Sequence, residues 1–299
     1  MRKLLLCLSF ALMCAGLRAQ HVKVLSVGNS FSLDAFAYVP FLMEELAPEV
    51  ELDLGVMYIG GCSLERHHGN IQNGTQDYTF WHYHSGDGRW SSDPEKPLQY
   101  GLDKMDWDII VFQQQSSRSR YFDTYQPFLD ELLVYTKDRV PSAHFAWLMT
   151  QPYGQGYKDL GDMSMEEMWA RVNTCSERVL NETSVEMVIP GGTGIQNARY
   201  TVLDRLGKAG HLVADGYHLQ EGIPALIEGL TATYTFLKFY GKEVDVEKSQ
   251  LVVTPEWRKE RNTPQPNGEP EEASEEEYRL ARQCAKWAIE SPWMLKTVE

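Results

Sequence analysis

The sequence predicts an α/β fold, a three-layer αβα sandwich around a five-stranded parallel sheet. Two observations predict it. Five short apolar runs are separated by helical segments of about ten to fifteen residues, the spacing of right-handed crossovers. One of them, Trp107 to Phe112, is an almost continuous apolar strand, as a strand covered on both faces can be.

His21 to Val27 is the first strand. A helix follows from Phe36 to Leu46, with Pro40 at a first turn or at a kink. Glu51 to Tyr58 is the second strand and Trp107 to Phe112 the third. Phe128, Leu132 and Tyr135 give Pro127 to Thr136 a helical period. Ala143 to Met149 is the fourth strand. Ser164 and Glu167 form a capping-box pattern before a helix whose apolar face is Met168, Val172, Cys175 and Val179. Val185 to Ile189 is the fifth strand, followed by a helix around Ile195 to Leu206. The glycine-rich Pro190 to Gly194 lacks the pattern of a phosphate loop and reads as a turn. Ile223, Leu226, Ile227, Leu230, Tyr234 and Leu237 mark another amphipathic helix.

Two segments break this rhythm. Ser63 to Met105 is an insertion of about forty residues, far longer than an ordinary connection. Thr263 to Glu277, rich in Pro, Gly and Glu, reads as an exposed linker. Ser274 and Glu277 then cap a last helix, at about 274–290, with Tyr278, Ala281, Ala285 and Ala288 on one face. The expected organisation is therefore a single domain over 20–299 behind a cleaved leader.

That leader is residues 1–19. Arg2 and Lys3 precede an apolar run from Leu4 to Gly16, and Leu17-Arg18-Ala19 offers a cleavage site. The protein is expected to be secreted or periplasmic. Cys14 does not predict a lipid anchor, because bulky Met13 stands where a small residue is needed. No later run reads as a membrane segment. Without Arg2, Lys3 and Arg18 the chain has 25 basic against 42 acidic residues, a formal charge of −17. Such a surface repels nucleic acid, which excludes it as a partner. Cys62, Cys175 and Cys284 are too few and too widely spaced for a disulfide framework or a zinc finger, and read as buried side chains.

The chemistry lies at two places. Gly28-Asn29-Ser30-Phe31-Ser32 ends the first strand, at the carboxyl ends of a parallel sheet, beyond which ligands bind. Asp215-Gly216-Tyr217-His218 precedes a late helix. Among the eight histidines, His218 is the one with a carboxylate, Asp215, three residues earlier in what reads as a tight turn, where it can hold one ring nitrogen. A serine hydroxyl is a weak nucleophile until such an oriented base takes its proton. The Gly-x-Ser-x-Gly elbow of α/β-hydrolases is absent.

The order of these blocks, with Gly60-Gly61-Cys62-Ser63 and Gln113-Gln114-Gln115-Ser116 between them, resembles the four blocks of the SGNH (GDSL-type) hydrolase superfamily. It resembles most a branch of secreted bacterial proteins with no assigned substrate. The resemblance covers about Val22 to Tyr240. It implies a flavodoxin-like sheet of order 2-1-3-4-5 and ester hydrolysis through an acyl-enzyme. It implies Ser30 as nucleophile, His218 as base and Asp215 as orienting acid. Oxyanion donors would be the backbone N–H groups of Ser30 and Gly61. The superfamily's asparagine donor is replaced by Gln115, or by Gln113 in the alternative register.

The expected activity is that of a serine esterase acting on a short acyl ester, such as acetyl, on a small molecule or carbohydrate. A non-catalytic glycan-binding protein and an acyltransferase with the same triad are the alternatives. The insertion's Trp81, His82 and Trp90 are candidates for substrate binding, or for a mini-core of their own. His82-x-His84 on a strand would place two imidazoles on one face, with Asp87 as an oxygen ligand, but no finger-type pair supports it. His67, His68, His82 and His84 read instead as a polar loop near the site, and neither metal nor cofactor is expected.

Overall fold

The computed structural model describes residues 20–264 and 267–297. The expected leader, Cys14 included, lies outside the described residues. In chain order, β1 (Gln20–Gly28) leads to α1 (Ser30–Phe36), α2 (Val39–Leu46) and β2 (Val50–Tyr58). The insertion holds α3 (Leu64–Asn73), β3 (Tyr78–His84), β4 (Ser91–Lys96) and α4 (Leu98–Leu102). Then come β5 (Ile109–Phe112), α5 (Phe128–Arg139), β6 (His144–Leu148), α6 (Met165–Glu182) and β7 (Met187–Ile189). α7 (Gly191–Arg199), α8 (Ile223–Phe239), α9 (Pro255–Arg261) and α10 (Glu275–Glu290) complete the chain.

The sheet corrects the expectation of five parallel strands. It has seven strands in the order β4-β3-β2-β1-β5-β6-β7. β2, β1, β5, β6 and β7 are parallel, while β3 and β4 run antiparallel at one edge. The parallel part keeps the order 2-1-3-4-5 of the strands read from the sequence. The physical reason for the extra pair is the exposed edge of β2, whose unpaired backbone groups the insertion satisfies by pairing. β4 then forms the new edge; it is short, polar and carries Pro94, features that discourage further pairing.

Helices cover both faces. On one, Leu25, Val27, Ile110 and Phe112 pack with Leu129 and Leu132 of α5. On the other, Val22, Val24, Ile109 and Val111 pack with Leu33 and Phe36 of α1 and Ala232 and Phe236 of α8. α8 is buried almost all round: Leu226, Ile227 and Leu230 lose all exposure. Each such side chain contributes about 1.5–3 kcal/mol. α10 packs on α7 and α8 through Ala281, Cys284 and Ala285, behind a complete Ser274–Glu277 capping box.

Three local readings change. The helix expected over Phe36 to Leu46 is two helices, and Pro40 sits in the first turn of the second, where its missing N–H costs nothing. The Pro190 to Gly194 turn is the start of α7. It is glycine-rich because the helix presses on the chain after β6: a Cβ on Gly192 would lie 2.3 Å from the Thr150 carbonyl oxygen. Of the segment read as an exposed linker, the described residues from Asn267 fold back, with the Glu269 carbonyl accepting from Gln220 at 2.7 Å and Asn267 reaching the site described below.

Among the described residues no helix is long and apolar enough to cross a membrane. Cys62, Cys175 and Cys284 are free and buried. Burial pushes their thiols up to about 12, 11 and 12, which makes them inert as nucleophiles.

Candidate active site

Ser30 is the first residue of α1, immediately after β1. The turn between them is built by Asn29. Its backbone is extended and its Oδ1 accepts the Phe31 N–H at 3.0 Å, which caps the helix. The same oxygen accepts from Gln113 Nε2 at 2.6 Å, and Asn29 Nδ2 donates to the Cys62 carbonyl at 3.0 Å. One side chain thus ties together the chain ends after β1, β2 and β5. Gly28 is required for this closeness: a Cβ there would lie 2.2 Å from Ser32 Oγ and 3.2 Å from Gln113 Nε2.

The loop before α8 brings the second block to Ser30. Asp215 Oδ1 accepts the backbone N–H groups of Tyr217 (3.2 Å) and His218 (3.0 Å), a tight Asx turn. Its other oxygen, Oδ2, lies 2.8 Å from His218 Nδ1. His218 Nε2 lies 2.7 Å from Ser30 Oγ. Burial alone pushes the Asp215 carboxyl up, but hydrogen bonds from the His218 ring and backbone and from Tyr217, with the ring's charge, hold it below its usual value. The ionised carboxylate accepts from Nδ1–H, so Nε2 accepts from the serine hydroxyl. A hydroxyl in this array can pass its proton to the ring as the oxygen attacks.

Of the residues read from the sequence, Ser30, Gly61, Gln115 and His218 line one cavity of about 400 Å³. Asp215 stands behind His218. Gln113 does not reach the cavity; it is buried and spent on Asn29. Gln115 Oε1 is fixed by the Ser117 hydroxyl at 2.6 Å, and its Nε2 has only a 3.4 Å contact to Ser116 Oγ.

The insertion's candidates stand elsewhere. Trp90 is buried, its indole N–H donating to the Ala37 carbonyl at 3.1 Å. Trp81 is half-buried on β3, and His82 lies 2.9 Å from Asp53. None of the three lines the cavity. The histidines are not a polar loop near the site either. His82 and His84 lie on β3, His67 is buried against the Tyr78 hydroxyl at 2.8 Å, and His68 pairs with Glu131. The carboxylate beside His82 and His84 is that of Asp53 rather than Asp87.

The sequence reading missed two sets of residues. Tyr153, Tyr157 and Tyr217 form an aromatic wall, with ring centroids 5.0–5.9 Å apart. They come from loops, where no period marks them. Asp34, one helical turn after Ser30, accepts the Leu219 N–H at 3.3 Å and a bond from Asn267. It pins the residue after His218, and burial pushes its carboxyl well up. Its spacing of four from Ser30 on one helix was the available signal.

The fold and this array define an α/β protein with a hydrogen-bonded Ser-His-Asp constellation at the carboxyl end of its parallel strands. The chain belongs to the DUF4886 family, described as a domain of unknown function, which it matches over residues 23–259. No curated protein matches it. A DUF4886 family protein from Bacteroides uniformis, solved as a crystal structure, is 27% identical with a TM-score of 0.76, covering 93% of this chain and 98% of that one. A protein from Slackia heliotrinireducens proposed to be an SGNH hydrolase is 21% identical, with a TM-score of 0.49 over 73% of this chain and 99% of its own. An acetylxylan esterase from Geobacillus stearothermophilus is 16% identical, with a TM-score of 0.46 over 75% and 97%.

Proposed function

We propose that the protein is a serine esterase that removes a short acyl group, such as acetyl, from a carbohydrate. The observation that carries this reading is the continuous hydrogen-bonded line from Ser30 through His218 to Asp215 at the floor of a cavity. Ser30 Oγ attacks the ester carbonyl while its proton moves to His218 Nε2. Negative charge builds on the carbonyl oxygen, where the N–H groups of Ser30 and Gly61 and the Gln115 amide donate; each such donor contributes about 3 kcal/mol. The tetrahedral intermediate collapses, the alcohol leaves with the proton from His218, and Ser30 is left acylated. Water then attacks the acyl carbon, giving its proton to His218, and the carboxylic acid departs as Ser30 recovers its hydrogen. Asp215 holds the ring's tautomer and stabilises the imidazolium throughout.

The cavity, about 400 Å³ with a tyrosine wall, suits a small acyl group beside a sugar ring, whose C–H face stacks on aromatic rings. Export by the leader at 1–19 is part of the same proposal and fits a polysaccharide substrate. The test is Ser30→Ala assayed on a small acetyl ester. Turnover should fall about a thousandfold or more; wild-type turnover in the folded variant would remove Ser30 from the reaction.

A further inference from the structure

The opposite end of the sheet carries a second constellation, which the esterase reading does not use. Asp53 on β2 sits between β1 and β3, with Lys23 and His84 as its register partners. Side chains two residues apart share a face, so His21 joins Lys23 and His82 joins His84 around the same carboxylate. His21 Nε2 lies 2.6 Å from Asp53 Oδ2. His82 Nε2 and His84 Nδ1 lie 2.9 and 3.2 Å from Oδ1. The Lys23 ammonium does not compete, because it donates to the Asp106 carbonyl at 2.6 Å and faces Asp108.

This gathering is unusual in kind. Three imidazoles from two strands meet one buried carboxylate, on three adjacent rigid strands rather than on a loop. The donor atoms of His21, Asp53 and His84 all lie within 4.8 Å of one another. Two N/O ligands on one zinc ion stand about 3.3 Å apart in a tetrahedron, from bonds of about 2.0–2.1 Å. Small side-chain rotations therefore suffice to admit an ion. Side-chain exposures of 38% for His21 and 47% for His84, against 6% for Asp53, leave an entry path from solvent on the histidine side.

We propose that His21, Asp53 and His84 form a binding site for a divalent transition-metal ion of the zinc type. His82 keeps its hydrogen bond to Asp53 and orients that carboxylate from outside the coordination sphere. Imidazole donors select zinc, cobalt, nickel or copper over magnesium or calcium, which require oxygen. The site links β1, β2 and β3, so an ion there staples the antiparallel edge to the parallel core. It is remote from the esterase chemistry. Gly28 lies seven residues along β1 from His21, about 23 Å at the rise of an extended strand.

The test uses tag-free protein stripped with a chelator and then titrated with Zn²⁺ by calorimetry, and with Co²⁺ by visible absorption. One ion should bind per chain, with a four-coordinate Co²⁺ spectrum and a raised Tm for the wild type. His84→Ala, at an exposed position that should not disturb folding, and His21→Ala should each weaken binding at least about tenfold and abolish the Tm shift. His82→Ala should weaken it about tenfold. Turnover of an acetyl ester should change less than about twofold with or without metal. Absence of binding to the stripped wild type, or binding undiminished in His84→Ala, would overturn the proposal.

Discussion

The carboxyl end of the sheet and its inserted edge use aromatic residues differently. At the carboxyl end, Tyr153, Tyr157 and Tyr217 line an open cavity beside Ser30. In the inserted edge, Tyr78, Phe80, Tyr83 and Trp90 are equally concentrated, but each is buried and none lines that cavity. The insertion covers the edge of β2 and must bury a core of its own, so its rings face inward. The comparison teaches that aromatic density marks burial as readily as binding. What separates the two is whether the ring packs on the sheet edge or comes from a loop beyond the strands.

The largest effect expected from this contrast is on stability. Trp90→Ala should destabilise the fold by about 3–5 kcal/mol, because a fully buried ring and its bond to Ala37 are lost. Denaturant unfolding measures the loss, and kcat of the remaining folded protein should stay unchanged. A large fall in kcat at full folding would instead place the insertion in the chemistry.

The site end should also be more sensitive to pH. Burial pushes the Glu221 carboxyl, which accepts from the Tyr38 hydroxyl, up to about 7. A carboxyl whose folded value is raised contributes stability below its unfolded value of 4.5, and that stability is lost as pH rises toward 7. The loss amounts to at most about 3.5 kcal/mol, from about 1.4 kcal/mol per unit. Glu221→Gln should flatten the pH dependence of Tm between about pH 4.5 and 7. An unchanged slope would mean that the acid does not titrate as its burial demands.

The smallest effect concerns binding. Tyr157→Ala should raise KM for an acetylated sugar about fivefold with little change in kcat, the loss of one stacking contact worth about 1 kcal/mol. Trp81→Ala should leave both parameters within about twofold. The reverse pattern would return substrate binding to the insertion.

The parallel core was legible because its strands are short segments rich in apolar residues, separated by helical segments long enough for crossovers. β4 was not: Ser91–Lys96 contains no apolar residue to mark a buried face, and only pairing with β3 makes it a strand. The start of α7 was hidden for a similar reason, since its glycines are poor helix formers held by packing on Thr150 and Ile227. In the site, Asp215 and His218 were legible because both lie in one short turn. Gln113 and Gln115 could not be told apart from spacing alone, and only the Asn29 hydrogen bond separates them.

The central claim is that Ser30 is an activated nucleophile. The most direct measurement is the intact mass of the folded protein after treatment with a fluorophosphonate, followed by mapping of the modified peptide. The account predicts one adduct, on Ser30, lost in His218→Ala although that variant keeps the hydroxyl. An unmodified wild type, or an adduct on another side chain, would contradict it.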